Sequence, residues 1–184
     1  MTLYHISENS NISEFHPRPI QNGSCGLEGN AVWAVDEIHL ANYLLPRDCP
    51  RVTFAISNTT TEEDKKRYFG STYANRIIAI ESSWLKNVLS RTLYRYDFCD
   101  ESFTLIDITA GYYISRKSIK PEKVTVITNV LETLLTFNIE LQIMPLLWKL
   151  RENIIKSSLD YSIIRMRNAT IPPEGISSFH PIQQ

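Results

Sequence analysis

Cysteine is scarce in this chain of 184 residues: Cys25, Cys49 and Cys99 lie far apart and form no C-x-x-C pair. That spacing points to neither a disulfide framework nor a zinc site. Long apolar runs are also missing. None approaches the roughly 20 residues that span a bilayer, and MTLYHISENS at the start lacks the basic-then-apolar layout of a signal peptide. A cytoplasmic protein with no membrane partner is expected. Charge of one sign is not in excess either, because 19 basic and 20 acidic residues leave a formal net charge of −1. No nucleic acid partner is expected from that balance.

What is present is an ordinary globular composition, 43% hydrophobic and 21% charged, enough to fold around a core of its own. The length is too short for two full domains. One domain is expected, with residues 1–168 as its core and 169–184, rich in Pro, Gly and Ser, as a surface tail.

Patterning gives the elements. Leu3 to Ser7 alternates apolar and polar residues as a half-buried strand does. The following segment to Asn30 carries Pro17, Pro19, Gly23, Gly26 and Gly29 and reads as a long loop bordering a site. Ala31 to Val35 suits a buried strand, and Asp36 a helix N-cap. Ile38, Ala41 and Leu45 then share one helical face, and His39 and Tyr43 a neighbouring one, until Pro46 stops the helix.

Strands follow at Arg51–Ser57 and Arg76–Glu81, separated by a polar helix opening near Thr61 and closing at Gly70. Ser82 or Ser83 can cap the next helix, whose Trp84, Leu85, Val88 and Leu89 form an apolar stripe. TLYRYDF, FTLIDITAGYYIS broken at Gly111, and KVTVIT read as further strands. A short helix at Asn129–Asn138 and a strand at 139–143 precede a helix opened by Pro145 at its first position. Arg165 and Arg167 fall on alternate positions of a last strand. The sum is an α+β fold of mixed, mostly antiparallel sheets with short flanking helices.

Several residues could carry chemistry. His5 and Ser7 share a strand face and could hold a ribose or an amide by hydrogen bonds; the plain alternative is a satisfied polar residue at a sheet margin. Arg47 and Arg51, each following a proline that stiffens its presentation, could meet an anion; the plain alternative is that Arg47 and Asp48 pair with neighbours and brace the helix exit. The charge of Arg47 and Arg51 could also lower the pKa of Cys49. Asp36 and His39 lack a third partner at a metal-ligand spacing, and capping alone explains Asp36, so no metal is assigned.

LYHIS at 3–7, FHPRP at 15–19, VWAVD at 32–36 and YLLPRDCPR at 43–51, with AGYYIS at 110–115 and IIRMRNA at 163–169, resemble an uncharacterised bacterial domain family over nearly the whole chain. More distantly, the order of an aromatic-His-x-Ser strand, a loop, a V-W-A strand and a Tyr-bearing helix resembles the ADP-ribosyltransferase-like fold. That resemblance implies that His5 binds the adenosine ribose of NAD and that Tyr43 packs on the nicotinamide, with Trp33 as a further stacking surface. It also implies arginines near the phosphates, for which Arg18, Arg47 and Arg51 are candidates. The third motif of such proteins supplies a Glu or Gln; the corresponding strand here reads Gly111-Tyr112-Tyr113, which makes Tyr113 a site candidate and leaves the catalytic residues unassigned. A nucleotide-like ligand, with NAD as the candidate cofactor, is thus expected. The alternatives are a non-catalytic binding module and a structural protein that oligomerises, for instance through the Trp148 helix.

Overall fold

The structure, a computed structural model, describes residues 1–20 and 27–172. Those residues form a mixed α+β fold of mostly antiparallel sheets with five short α-helices. The tip of the long loop and the end of the tail lie outside the described residues, and with them the expectations placed on 21–26 and 173–184.

Backbone contacts divide the chain into two compact units. The first holds residues 1–43 and 92–128 and contains β1 (Thr2–Ser7), β2 (Arg18–Pro19), β3 (Asn30–Val35) and α1 (Glu37–Leu40), which runs into a 3-10 turn at Ala41–Tyr43. The second contains β4 (Arg51–Ala55), α2 (Glu62–Phe69), β5 (Arg76–Glu81) and α3 (Leu85–Ser90). The chain then returns to the first unit for β6 (Leu93–Cys99), β7 (Thr104–Asp107), β8 (Tyr112–Ser115) and β9 (Lys123–Ile127). It closes in the second with α4 (Val130–Thr136), β10 (Ile139–Met144), α5 (Trp148–Ile155) and β11 (Asp160–Ile164).

The sheet of the first unit has the order β7-β8-β3-β1-β6-β9, with β2 added against β3. All its pairings are antiparallel. The two inner contacts of β1 are unequal. It pairs with β6 at six positions, from Thr2↔Cys99 to Ser7↔Tyr94, whereas with β3 it pairs only at Tyr4↔Val35. Side chains alternate between faces, so the register sorts them. Leu3, Val32, Ala34, Tyr96 and Phe98 pack together with Phe15 on one face. Tyr4, Val35 and Tyr112 share the other, through Tyr4↔Val35 and Val35↔Tyr112.

The long loop is not wholly irregular. Phe15 bridges Ile119 through reciprocal backbone hydrogen bonds of 2.8 and 2.9 Å, and Arg18-Pro19 forms the edge strand β2. Phe15 explains the tether, since its ring meets those of Tyr96 and Phe98 edge-on at 5.0 Å. Burying such a ring contributes about 1.5–3 kcal/mol, enough to hold the bridge.

In the second unit the order is β10-β5-β4-β11, with β10 parallel to β5 and the other pairs antiparallel. β4 is buried along its whole length and β5 from Ile77 onward. Val52, Phe54, Ile77 and Ala79 of these strands pack with Phe69 of α2, Leu147 and Ile154 of α5, and Leu159. The Thr61 hydroxyl caps α2 by accepting from the Asp64 amide, as the acidic first turn requires. Asp64 in turn accepts from the Ser158 amide and hydroxyl at 2.7 and 2.6 Å, and these bonds hold its carboxyl below the ordinary range.

Four expectations are corrected. α5 begins at Trp148, three residues after Pro145, because β10 runs to Met144 beside β5 and a residue before proline favours extended backbone. Neither Ser82 nor Ser83 caps; the segment enters as a 3-10 turn with no side-chain cap, and Leu89 is exposed while Val88 is buried. Ile38 is exposed, because the helix tightens to a 3-10 turn after Leu40 and the 3.6-residue spacing is lost. The last strand ends at Ile164; Arg165 has φ +57° and Arg167 sits in a 3-10 turn, so the two do not alternate on a strand face.

Candidate functional site

The single pairing between β1 and β3 leaves an opening in the first sheet, and a cleft of about 100 Å³ occupies it. Its walls are Tyr4, His5 and Ile6 of β1, Trp33, Ala34 and Val35 of β3, Tyr43 at the end of the 3-10 turn, and Tyr112 at the start of β8. Four of the eight are large aromatics, and among the described residues no Arg or Lys lines it.

Local sequence builds each wall. The Asp36 carboxylate accepts from the His39 amide at 2.9 Å and from His39 Nδ1–H at 2.7 Å, starting α1 immediately after β3. Both side chains are less than one fifth exposed. Tyr43 lies one turn beyond His39, and its hydroxyl donates to that of Tyr112. Gly111, just before Tyr112, fixes the other side. It has φ +64°, its carbonyl accepts from the Asp36 amide at 3.1 Å, and a Cβ there would stand 2.1 Å from His39 Nδ1. Only glycine lets the β7–β8 turn close so tightly on the Asp36–His39 pair. Trp33 completes the wall edge-on to Tyr112, with ring centroids 5.5 Å apart.

His5 joins the cleft from its margin. Its Nδ1–H donates to the Trp33 carbonyl at 2.9 Å, spanning the opening between β1 and β3. Its ring meets Phe15 at 5.0 Å, on the sheet face that carries Leu3 and Tyr96. The imidazole therefore braces the opening and does not share a face with Tyr4 and Tyr112.

The remaining candidates are elsewhere. Ser7 accepts from the Asn9 amide at 3.1 Å and does not line the cleft. Tyr113 packs with Phe98 and Ala34 on the other face, because it pairs with Ala34 whereas Tyr112 pairs with Val35. Arg18 is exposed on β2. Arg47 and Arg51 belong to the second unit. Arg51 is 2% exposed and donates to the carbonyls of Pro46 at 3.3 Å and Cys49 at 2.9 Å, so it braces the helix exit. Cys49 is fully buried, and burial pushes its thiol up to about 12 despite Arg51 beside it. Desolvation outweighs the cation there, the reverse of the expected activation.

A feature that the sequence reading passed over borders the cleft. Arg95 and Asp97 on β6 pair bidentately at 2.8 and 2.9 Å, and the guanidinium lies 5.0 Å from the centre of the Tyr4 ring. Asp97 hydrogen bonding holds the Arg95 pKa up, while burial raises that of Tyr4, with the Glu37 carboxylate adding to both shifts. The signal lay in TLYRYDF, where alternation puts Arg95 and Asp97 on one face. Among the described residues no group of three or more His, Cys, Asp or Glu side chains comes together to hold a metal. No helix there is long and apolar enough to cross a membrane.

An antiparallel sheet opened between two strands and lined with aromatic rings defines the class of candidate site: a small, aromatic-walled cleft. Residues 4–169 match DUF6886, a family of unknown function, and the chain belongs to that family. No curated protein and no solved structure matches the chain.

Proposed function

We propose that the protein binds a small molecule of nucleotide type in the cleft of its first unit, in the manner of an ADP-ribosyltransferase-like domain, with NAD or ADP-ribose as candidate ligands. One observation carries the reading: Trp33, Tyr43 and Tyr112 meet at an opening between the LYHIS and VWAVD strands, the two segments on which the resemblance to that fold rests. The cleft volume sets the division of labour. Small-molecule sites usually enclose ~300–1,000 Å³, so a 100 Å³ cleft takes one ring and leaves the rest of a dinucleotide outside.

Binding is the better-supported half of the proposal. β8 brings Tyr112 to the cleft and no carboxylate, whereas transfer at the glycosidic bond needs a group that stabilises developing positive charge. Thermal-shift titration with NAD, ADP-ribose and nicotinamide tests binding, by mass action on the folded state. A rise in melting temperature that Tyr43→Leu abolishes is expected. Saturating NAD that gives neither a shift nor nicotinamide release would end the nucleotide reading.

A further inference from the structure

The charges around the cleft are the wrong sign for a phosphate. Asp36 follows the lining residue Val35, Glu37 acts electrostatically on both Tyr4 and Arg95, and Asp97 is the strand partner of Tyr4. Against these three carboxylates stands one guanidinium, and Arg95 is already engaged by both oxygens of Asp97. The three carboxylates outnumber Arg95 and His39 together.

The lining itself favours positive charge. The ring faces of Trp and Tyr carry the negative part of the aromatic quadrupole and attract ammonium and pyridinium groups, most strongly where water is excluded. Tyr4 already holds the Arg95 guanidinium in this way at its edge of the site. Tyr4, Trp33, Tyr43 and Tyr112 together line a cleft of about 100 Å³, room for a compact head such as trimethylammonium.

We infer that the cleft selects a small organic cation, a quaternary ammonium or N-alkylated ring, held between Trp33, Tyr43 and Tyr112 and favoured by the carboxylates of Asp36, Glu37 and Asp97. A ligand enters by its cationic end, and any phosphate it carries stays outside. The inference rests on the cleft being a ligand site, the first part of the proposed function, and stands without the nucleotide.

Choline and its uncharged isostere 3,3-dimethylbutan-1-ol differ in charge and hardly in shape. In titrations of the full chain followed by the Trp33 indole N–H signal, choline is expected to bind about tenfold more tightly than the alcohol, and to weaken with added salt. Glu37 is exposed, so Glu37→Gln can be read without a folding defect; choline affinity should fall two- to threefold while that of the alcohol is unchanged. Equal binding of the two compounds, failure of both to move Trp33, or a Glu37→Gln variant that binds choline as the native chain does would each overturn the inference. Choline binding without any response to NAD or ADP-ribose would keep it and end the nucleotide reading. ADP-ribose binding in preference to every cation would do the reverse.

Discussion

The two sheets differ in how far their strand ladders close. In the second unit β4 pairs at five positions on each side, and β5 pairs at six with β10. Its buried polar groups serve the fold. Glu81, 1% exposed, accepts from the Thr170 amide at 2.9 Å and hydroxyl at 2.8 Å, while Arg51 donates to two carbonyls. In the first unit β1 is fully paired on one side and nearly unpaired on the other, and aromatic rings fill the gap. A buried charge is therefore a poor guide to a site in this chain. The interrupted ladder is what opens the candidate cleft.

The largest test of that contrast is Phe54→Ala. Phe54 is 1% exposed among Val52, Phe69, Ile77 and Leu147, and truncation should cost about 3–5 kcal/mol by chemical denaturation. A loss under about 1 kcal/mol would mean that this core collapses around the vacancy.

Arg51→Ala should follow, at about 2–3 kcal/mol, because it strips a charged donor from buried carbonyls. Ligand binding measured at Trp33 should be unchanged in that variant; an arginine that meets a phosphate would show the opposite pattern, little destabilisation and lost binding.

Gly111→Ala probes the first unit instead. The positive φ and the contact with His39 should together cost about 1–3 kcal/mol in melting experiments, with the Tyr43–Tyr112 wall displaced and the Trp33 signal shifted. An unaltered Trp33 signal would separate the Asp36–His39 pair from the cleft.

The last effect, which vanishes near neutral pH, is the pH dependence set by Cys49. Its thiol pKa is raised from 9.0 to about 12 in the folded chain, so the unfolded state loses its proton first. Stability from this group is complete below pH 9 and declines above it, by at most about 1.4 kcal/mol per pH unit up to the folded value. At pH 8 a thiol reagent should label the part-exposed Cys99 before the buried Cys49; rapid labelling of Cys49 would contradict its burial.

Much of the fold was legible because its strands have strong signatures. RIIAIE at 76–81 and KVTVI at 123–127 are β-branched runs flanked by turn residues, and both form where the pattern puts them. Asp36 and Thr61 cap as their side chains dictate. What failed depended on backbone departures that no periodicity encodes: the 3-10 turn after Leu40, the positive φ at Arg165, and the three residues between Pro145 and α5. At the candidate site, Trp33 and Tyr43 were visible as aromatics beside a strand and a short helix, and both line the cleft. Tyr112 in place of Tyr113, and Arg51 as a brace, follow from register and burial. Those are properties of the pairing partner, and one strand read alone does not contain them.

The three tryptophans provide the most direct measurement. Trp33 lines the cleft in the first unit, while Trp84 and Trp148 belong to the second, the latter donating its indole N–H to the Thr170 carbonyl at 2.7 Å. In a nitrogen-15 spectrum titrated with NAD and then with choline, a ligand in the cleft should move the Trp33 indole signal and leave those of Trp84 and Trp148 in place. A titration that shifts Trp84 or Trp148 while Trp33 stays fixed would put the site elsewhere and contradict the cleft as the seat of function.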